Sequence, residues 1–383
     1  MFHSTLLPYR AVFTAAAVAL AIISTSMAEV EYELTILPTL PGGTNCRAGD
    51  INDAGVVVGE SAIPGTAYLN AVSWIDGKAI DLTGLGISGA TANGINNSGM
   101  IVGMSDEFNI NAYRWAGGVI EQLDTPNSCC SEAHAVNATG IICGRISLNG
   151  ISSNSAALWI DGAWQALDSS KHSSIAYDIN DNMQVVGSTY FSSSMSSGFL
   201  WENGVMTELT TPSEPPSHVW AYAINEDGAV VGYGSHRGIL WEEGNVFELP
   251  PLPGGTLSSA KDVNNQGTII GYSYGDGFSS KHACRWLEGQ VADLNDLVDG
   301  GDWILIEATA INNNGQIVGM AFSSSKNSGH AYILTPITQP CPGDLSGDGV
   351  VDVQDLLTVI ADWGNPWDVE DLLDVIGNWG PCP

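Results

Sequence analysis

The chain has 383 residues, of which only 14% are charged, and 42 acids against 11 cations leave a formal charge of −31 at pH 7. A balance of that sign excludes nucleic acid and anionic membrane surfaces as partners. It is not evidence for a metal, because most such carboxylates are simply solvated.

The first segment decides the compartment. Arg10 precedes an apolar run from Ala11 to Ile23, and Ser26 and Ala28 place small residues at −3 and −1 of a cut after Ala28. Residues 1–28 therefore read as a secretory signal peptide. The run falls well short of the ~20 residues that span a bilayer, and no later stretch is long and apolar enough. From residue 29 the expectation is a secreted chain without a membrane span, extracellular or at the cell surface. Export makes disulfides possible for the seven cysteines. Cys341 and Cys382 bracket the C-terminal segment and are expected to pair. Cys46, Cys129, Cys130, Cys143 and Cys284 remain, an odd number, so one of them is free or intermolecular.

One phrase then recurs seven times. It begins Ile51-Asn52-Asp53-Ala54-Gly55 and returns at Ile95-Asn96, Val136-Asn137, Ile179-Asn180, Ile224-Asn225, Val263-Asn264 and Ile311-Asn312. The copies start 39 to 48 residues apart, about 43 on average. That is the period of four-stranded propeller blades. Each copy reads as four short strands. The first ends at the Asn, and an Asn-x-x-Gly turn follows. The second is β-branched, as in Gln316-Ile317-Val318-Gly319. The third carries a tryptophan (Trp74, Trp115, Trp159, Trp201, Trp241, Trp286), with Leu334 in that place in the last copy. The fourth follows a Gly turn and carries a leucine, as in Ile80-Asp81-Leu82. Short alternating strands with such turns form meandering antiparallel sheets. The last copy lacks its own fourth strand, and a spare strand, Glu33-Leu34-Thr35-Ile36-Leu37, stands at the front. The spare strand is expected to complete the last blade and close the ring. The fold class is thus an all-β, seven-bladed β-propeller over residues 29–336.

The phrases His282-Ala283-Cys284-Arg285-Trp286 and His330-Ala331-Tyr332, with Ile-Asn-x-x-Gly-x-Val-Val-Gly, resemble the repeats of extracellular HAF-repeat proteins. The likeness covers about residues 32–336. The His place holds Asn70, Asn111, Ser155, Ser197 and Arg237 in the other copies. The resemblance implies an exported repeat protein and brings no established activity.

Residues 337–343 read as a linker, and residues 344–383 as a small calcium-binding module. In Asp344-Leu345-Ser346-Gly347-Asp348-Gly349-Val350-Val351-Asp352-Val353-Gln354-Asp355, oxygen side chains fall at loop places 1, 3, 5, 9 and 12, with Gly at place 6. That spacing wraps one chain around a hard cation. The expected ligands of one Ca²⁺ are Asp344, Ser346, Asp348, Asp352 and Asp355, with the carbonyl of Val350. A helix with the stripe Val353, Leu356, Leu357, Ile360 and Trp363 follows. A second stripe (Val369, Leu372, Leu373, Ile376, Trp379) follows it, so two like helices are expected to pack face to face. The module resembles a type I dockerin, in which place 12 is Asp, as Asp355 is. Asn365-Pro366-Trp367-Asp368 replaces most of the second dockerin loop, so one ion is expected. The resemblance implies docking to a cohesin-like or cell-surface protein.

No catalytic constellation stands out. The chain has no HExxH, nucleophile elbow, phosphate loop or CxxC, and acid pairs such as Asp53 and Asp81 are not a dyad until their separation in space is known. The strand-three tryptophans read as blade core. Trp164, Trp220, Tyr222, Tyr274 and Trp303 fall outside the regular places and are candidates for a sugar-binding face. Two functions remain. One is a non-catalytic propeller that binds a partner or an extracellular glycan and is docked through its dockerin-like tail. The other is a dockerin-bearing glycoside hydrolase or polysaccharide lyase in polysaccharide catabolism.

Overall fold

The computed structural model describes residues 32–65, 68–83, 89–105, 110–125, 130–147, 154–167, 172–192, 195–212, 218–274 and 281–337. Towards the C-terminus it describes residues 345, 350–361, 372, 375–376 and 380–381. The expected signal peptide, residues 1–28, and most of the expected linker lie outside these residues. The chain divides into two compact units, a propeller within Val30–Pro340 and a unit that contains Cys341–Pro383.

The propeller has seven four-stranded antiparallel sheets. Their inner strands are Cys46–Ile51, Ala90–Ile95, Ser131–Val136, Ser173–Ile179, Val219–Ile224, Leu257–Val263 and Trp303–Ile311. Each inner strand contacts that of the next blade, and the seventh contacts the first, so the ring is closed. The spare N-terminal strand, Tyr32–Ile36, pairs antiparallel with Ser328–Pro336 and places Leu34 opposite Leu334. It is the outermost strand of the seventh blade, as its sequence position implied.

Tryptophans tie the blades together. Trp74, Trp115, Trp159, Trp241 and Trp286 are buried. A buried indole needs a partner for its N–H. Trp74 Nε1 donates to Pro38 O at 2.7 Å, Trp115 to Leu82 O at 3.0 Å, Trp241 to Thr210 O at 2.6 Å and Trp286 to Pro250 O at 2.8 Å. Each acceptor lies on the chain that leads out of the preceding blade. In the third blade Trp164 makes this bond, to Leu123 O at 3.3 Å. Leu334 is buried opposite Ile317, as Trp74 is opposite Val57.

Every inner strand carries a β-bulge three residues before its Asn, at Gly49, Asn93, His134, Tyr177, Tyr222, Lys261 and Thr309. The bulge explains the glycine that ends each Val-Val-Gly phrase. A Cβ on Gly103 would lie 1.9 Å from Thr91 O, and the same clash recurs at Gly59, Gly144, Gly187, Gly232, Gly271 and Gly319. Only glycine admits so close a backbone.

The repeated asparagines form a collar around the axis. Asn52 Nδ2 donates to Asn96 O (3.1 Å), and Asn96 to Asn137 O (2.9 Å). The chain runs on through Asn137, Asn180, Asn225, Asn264 and Asn312, and Asn312 donates back to Asn52 O at 3.0 Å. Each Oδ1 also accepts the N–H four residues on, which pins the turn. Six copies have glycine at the left-handed turn position, and the fourth has Met183 at φ 63°.

In the C-terminal unit, Val350–Val351 pairs with Gly380–Pro381, and one helix runs Val353–Ala361. The helix does not bury the stripe expected of it. Val353, Leu357 and Ile360 are exposed, as is Ile376, while Val359 is buried with Val351 and Val375, and Leu356 packs beside them. The reason is Asp355, whose fully buried carboxylate turns the 355–356–359 face inward. Trp363, Val369, Leu373 and Trp379 lie outside the described residues, so the described part of the module holds one helix and single helical residues at 372 and 375–376.

Candidate functional site

The bulge residues help decide what lines the channel, because a bulge adds one residue to its strand, and all but Gly49 carry a side chain there. They are small or neutral in three blades (Thr309, Gly49, Asn93) and large or cationic in the four consecutive blades between, at His134, Tyr177, Tyr222 and Lys261. These four meet from blade to blade. His134 packs edge-on to Tyr177 at 5.8 Å between ring centroids, Tyr177 lies 5.7 Å from Tyr222, and Lys261 Nζ sits 4.4 Å from the Tyr222 centroid. One side of the channel is therefore aromatic and basic.

Neighbouring positions extend this surface away from the collar. His218, Trp220 and Tyr222 alternate along one strand face, with Trp220 stacked on His218 at 5.4 Å and on Tyr233 of the next strand at 5.4 Å. The Tyr177 and Tyr190 hydroxyls are 2.7 Å apart. Burial, then the neighbouring Tyr190, raises the Tyr177 phenol, and burial, then Tyr272, raises Tyr222. Burial likewise lifts Tyr272 to about 12. These phenols are neutral donors and acceptors at physiological pH.

Two acids sit here, and both are engaged. Glu132 bonds the Arg145 guanidinium, and His134 Nε2 lies 3.4 Å from its other oxygen. Burial pushes the Glu132 carboxyl up, but the contacts and charges of His134 and Arg145 outweigh it and hold the group at about 2. Glu307 lies between two lysines, 2.7 Å from Lys281 Nζ and 3.7 Å from Lys261 Nζ. Lys281 also stands 3.7 Å from the Tyr272 centroid. Burial, set against Glu307, lowers the Lys261 pKa.

Nearer the collar, Asp50, Asp178 and Asp262 each accept two backbone N–H groups. One is from the next residue, and the other is from Ile95, Ile224 or Ile311 of the following blade at 2.8–2.9 Å. Each carboxyl is enclosed while its residue is only half-buried. Burial raises all three, Asp50 to about 7. On the collar side a polar cavity of about 200 Å³ is lined by Asp53, Asp178, Asp181 and Glu226 among others.

Of the five aromatics singled out by sequence, Trp220, Tyr222 and Tyr274 join this surface, and Tyr274 meets Tyr272 edge-on at 5.8 Å. Trp164 is a blade staple. Trp303 stands apart, edge-on to His330 with Lys326 over its ring. Tyr177, Tyr190, Tyr233 and Tyr272 were missed because each reads as an ordinary strand residue. The usable signal is the place three before each Asn, bulky in four copies running. The His of the tripeptide is structural: His282 Nδ1 lies 2.6 Å from Asp293, as Asn70 Nδ2 bonds Asp81 and Ser197 bonds Glu208.

The expected calcium loop is described only in part. Asp344, Ser346 and Asp348, like Cys341 and Cys382, lie outside the described residues. Asp355 Oδ1 accepts Leu345 N and its Oδ2 accepts Asp352 N, both at 2.8 Å. Place 12 is thereby held against place 2, and the loop closes on itself. The oxygen side chains that the sequence sets along this loop are of the type that hard cations such as Ca²⁺ take. The other cysteines are plainer. Cys46, Cys143 and Cys284 are buried thiols in three different blades, so at least three of the leftover five, rather than one, are unpaired. Burial raises Cys46 to about 11.

No protein-family model matches the chain, and no curated protein matches it in sequence. Solved structures do match its fold. The β-propeller domain of the trilobed protease from Pyrococcus furiosus, described as having an open velcro topology, aligns at TM-score 0.52 and 10% identity over 77% of this chain and 98% of that one. YCF48 bound to D1 peptide aligns at TM-score 0.51 and 14% identity over 81% and 97%. At such identities the likeness concerns the propeller fold alone.

Proposed function

We propose that the chain is a secreted, non-catalytic HAF-repeat propeller that binds an extracellular glycan on the aromatic side of its channel. Its dockerin-like tail, folded around one Ca²⁺, would dock it to a cohesin-like or cell-surface protein. The observation that carries this reading is the convergence of His134, Tyr177, Trp220, Tyr222 and Tyr272 from four successive blades onto one surface. Aromatic side chains with a few placed polar groups are the usual lining of a ligand site. The state of the acids supports binding over hydrolysis. A glycosidase acid needs a raised pKa and access to its leaving group. Glu132 is held ionised, Glu307 is bridged by two lysines, and Asp50, Asp178 and Asp262 have both oxygens committed to N–H groups.

For the tail, Asp344, Ser346, Asp348, Val350, Asp352 and Asp355 would hold the ion, which would replace repulsion among four carboxylates with coordination and couple binding to folding. A glycan array read beside a reducing-sugar release assay on the full chain tests the propeller. Retention without release is expected; release of new reducing ends would refute the non-catalytic reading. Calorimetry should find one tight Ca²⁺ lost in Asp355→Ala, and heat unchanged by that substitution would refute the tail.

A further inference from the structure

We infer that the glycan taken on this surface is acidic, with a uronate carboxylate bound by the surplus positive charge of the Lys261–Glu307–Lys281 trio. The inference rests on the glycan-binding reading and names the ligand class for that same site. It starts from a charge anomaly. The chain carries 42 acids for 11 cations, so a cation has about four carboxylates available to it. Yet Lys261 and Lys281 share the single carboxylate of Glu307. The other ion pairs between an acid and a lysine or arginine among the described residues are one-to-one, Arg114 with Glu121 and Arg145 with Glu132.

The trio therefore keeps one surplus positive charge, on side chains that are about a quarter exposed: 25% for Lys261, 27% for Lys281 and 24% for Glu307. The lysines approach opposite oxygens of Glu307, and both ammonium groups are also held by ring faces, Lys261 at Tyr222 and Lys281 at Tyr272. They are fixed in place before any ligand arrives, which lowers the ordering cost of binding. Burial and the neighbouring Lys281 both disfavour the charge on Lys261, and a second anion would relieve that. A uronate matches because it joins a carboxylate to the flat C–H faces of one rigid ring. The ammonium pair stands on aromatic rings, Lys261 at Tyr222 and Lys281 at Tyr272, and Tyr222 in turn packs against Trp220 at 6.4 Å. An acidic peptide carries its carboxylates on flexible stems with no comparable face.

The test is calorimetric titration of the full chain with oligogalacturonate, its methyl ester and a neutral oligosaccharide of equal length, together with a poly-glutamate peptide. The free acid should bind about tenfold or more tighter than the ester, the scale of a charge-assisted contact. Lys261→Met and Lys281→Met should each remove that preference, while Trp220→Ala should weaken acid and ester alike. Equal affinity for acid and ester, or unaltered preference in both lysine variants, overturns the anion subsite and leaves the glycan reading standing. Binding of the peptide with no saccharide bound overturns both.

Discussion

The asparagine collar gives the sharpest stability prediction. Asn96 is buried, donates Nδ2 to Asn137 O at 2.9 Å, and accepts Met100 N at 2.9 Å and Ser98 N and Oγ at 3.1 and 2.7 Å. Asn96→Ala breaks the bond between blades, worth about 1 kcal/mol, and strands the half-buried Met100 N–H, worth about 1–2 kcal/mol more. Ser98 is exposed and turns to water, and Asn137 O keeps Gly140 N. The expected loss is thus about 2–3 kcal/mol, read as a shift in the denaturant midpoint by tryptophan fluorescence. Asn96→Asp separates two explanations. If Asn96 serves only its own turn, Asp keeps the Oδ1 acceptor and should be tolerated. If the collar joins the blades, Asp replaces the donor with a charged oxygen aimed at Asn137 O, and the loss should equal or exceed that of Ala. Wild-type stability in Asn96→Asp would refute the collar as an element that couples blades.

Three further outcomes follow from the same geometry. Deleting residues 29–40 removes the outer strand of the seventh blade and should lower the melting temperature of the whole propeller; a truncated chain that melts like the intact one would show that Tyr32–Ile36 does not close the ring. Met183 holds a left-handed backbone that disfavours a side chain by about 1–2 kcal/mol. It also packs on the fourth-blade core, so Met183→Gly should gain no more than about 1 kcal/mol in the denaturant midpoint. Asp50 has a folded pKa raised by burial from 3.8 to about 7, so its contribution is full below about pH 4 and lost as pH rises through about 7. The melting temperature should fall between pH 5 and pH 8, and calorimetry should find the fall reduced in Asp50→Asn, whatever that variant's own stability. An identical fall in the variant would contradict this.

The sequence made the architecture legible because a repeat prints one structural rule seven times. Ile-Asn-x-x-Gly, the strand-three tryptophans and the displaced N-terminal strand each kept their meaning in the structure. What it did not reveal was the purpose of the repeated Asn, since a turn residue and a collar residue look alike until the blades are set side by side. The bulge was hidden for a different reason. Its seven residues, from Gly49 to Thr309, share no chemistry, so no repeated letter marks the place. That variety makes them the variable lining, and of the seven only Tyr222 is among the five aromatics that stand out in the sequence. The helix face of the tail was misjudged because an apolar count overlooked a buried carboxylate at Asp355.

The central claim is that the aromatic side of the channel is a binding surface. The most direct measurement is calorimetric titration of the full chain and of two variants with a glycan retained on the array. Trp220→Ala removes a ring that stacks on His218, Tyr222 and Tyr233 in the channel. Trp303→Ala removes one that stands outside it. Affinity should fall about tenfold or more in the first, the scale of one lost aromatic contact, and stay unchanged in the second. Equal affinity in the intact chain and in Trp220→Ala would contradict the account.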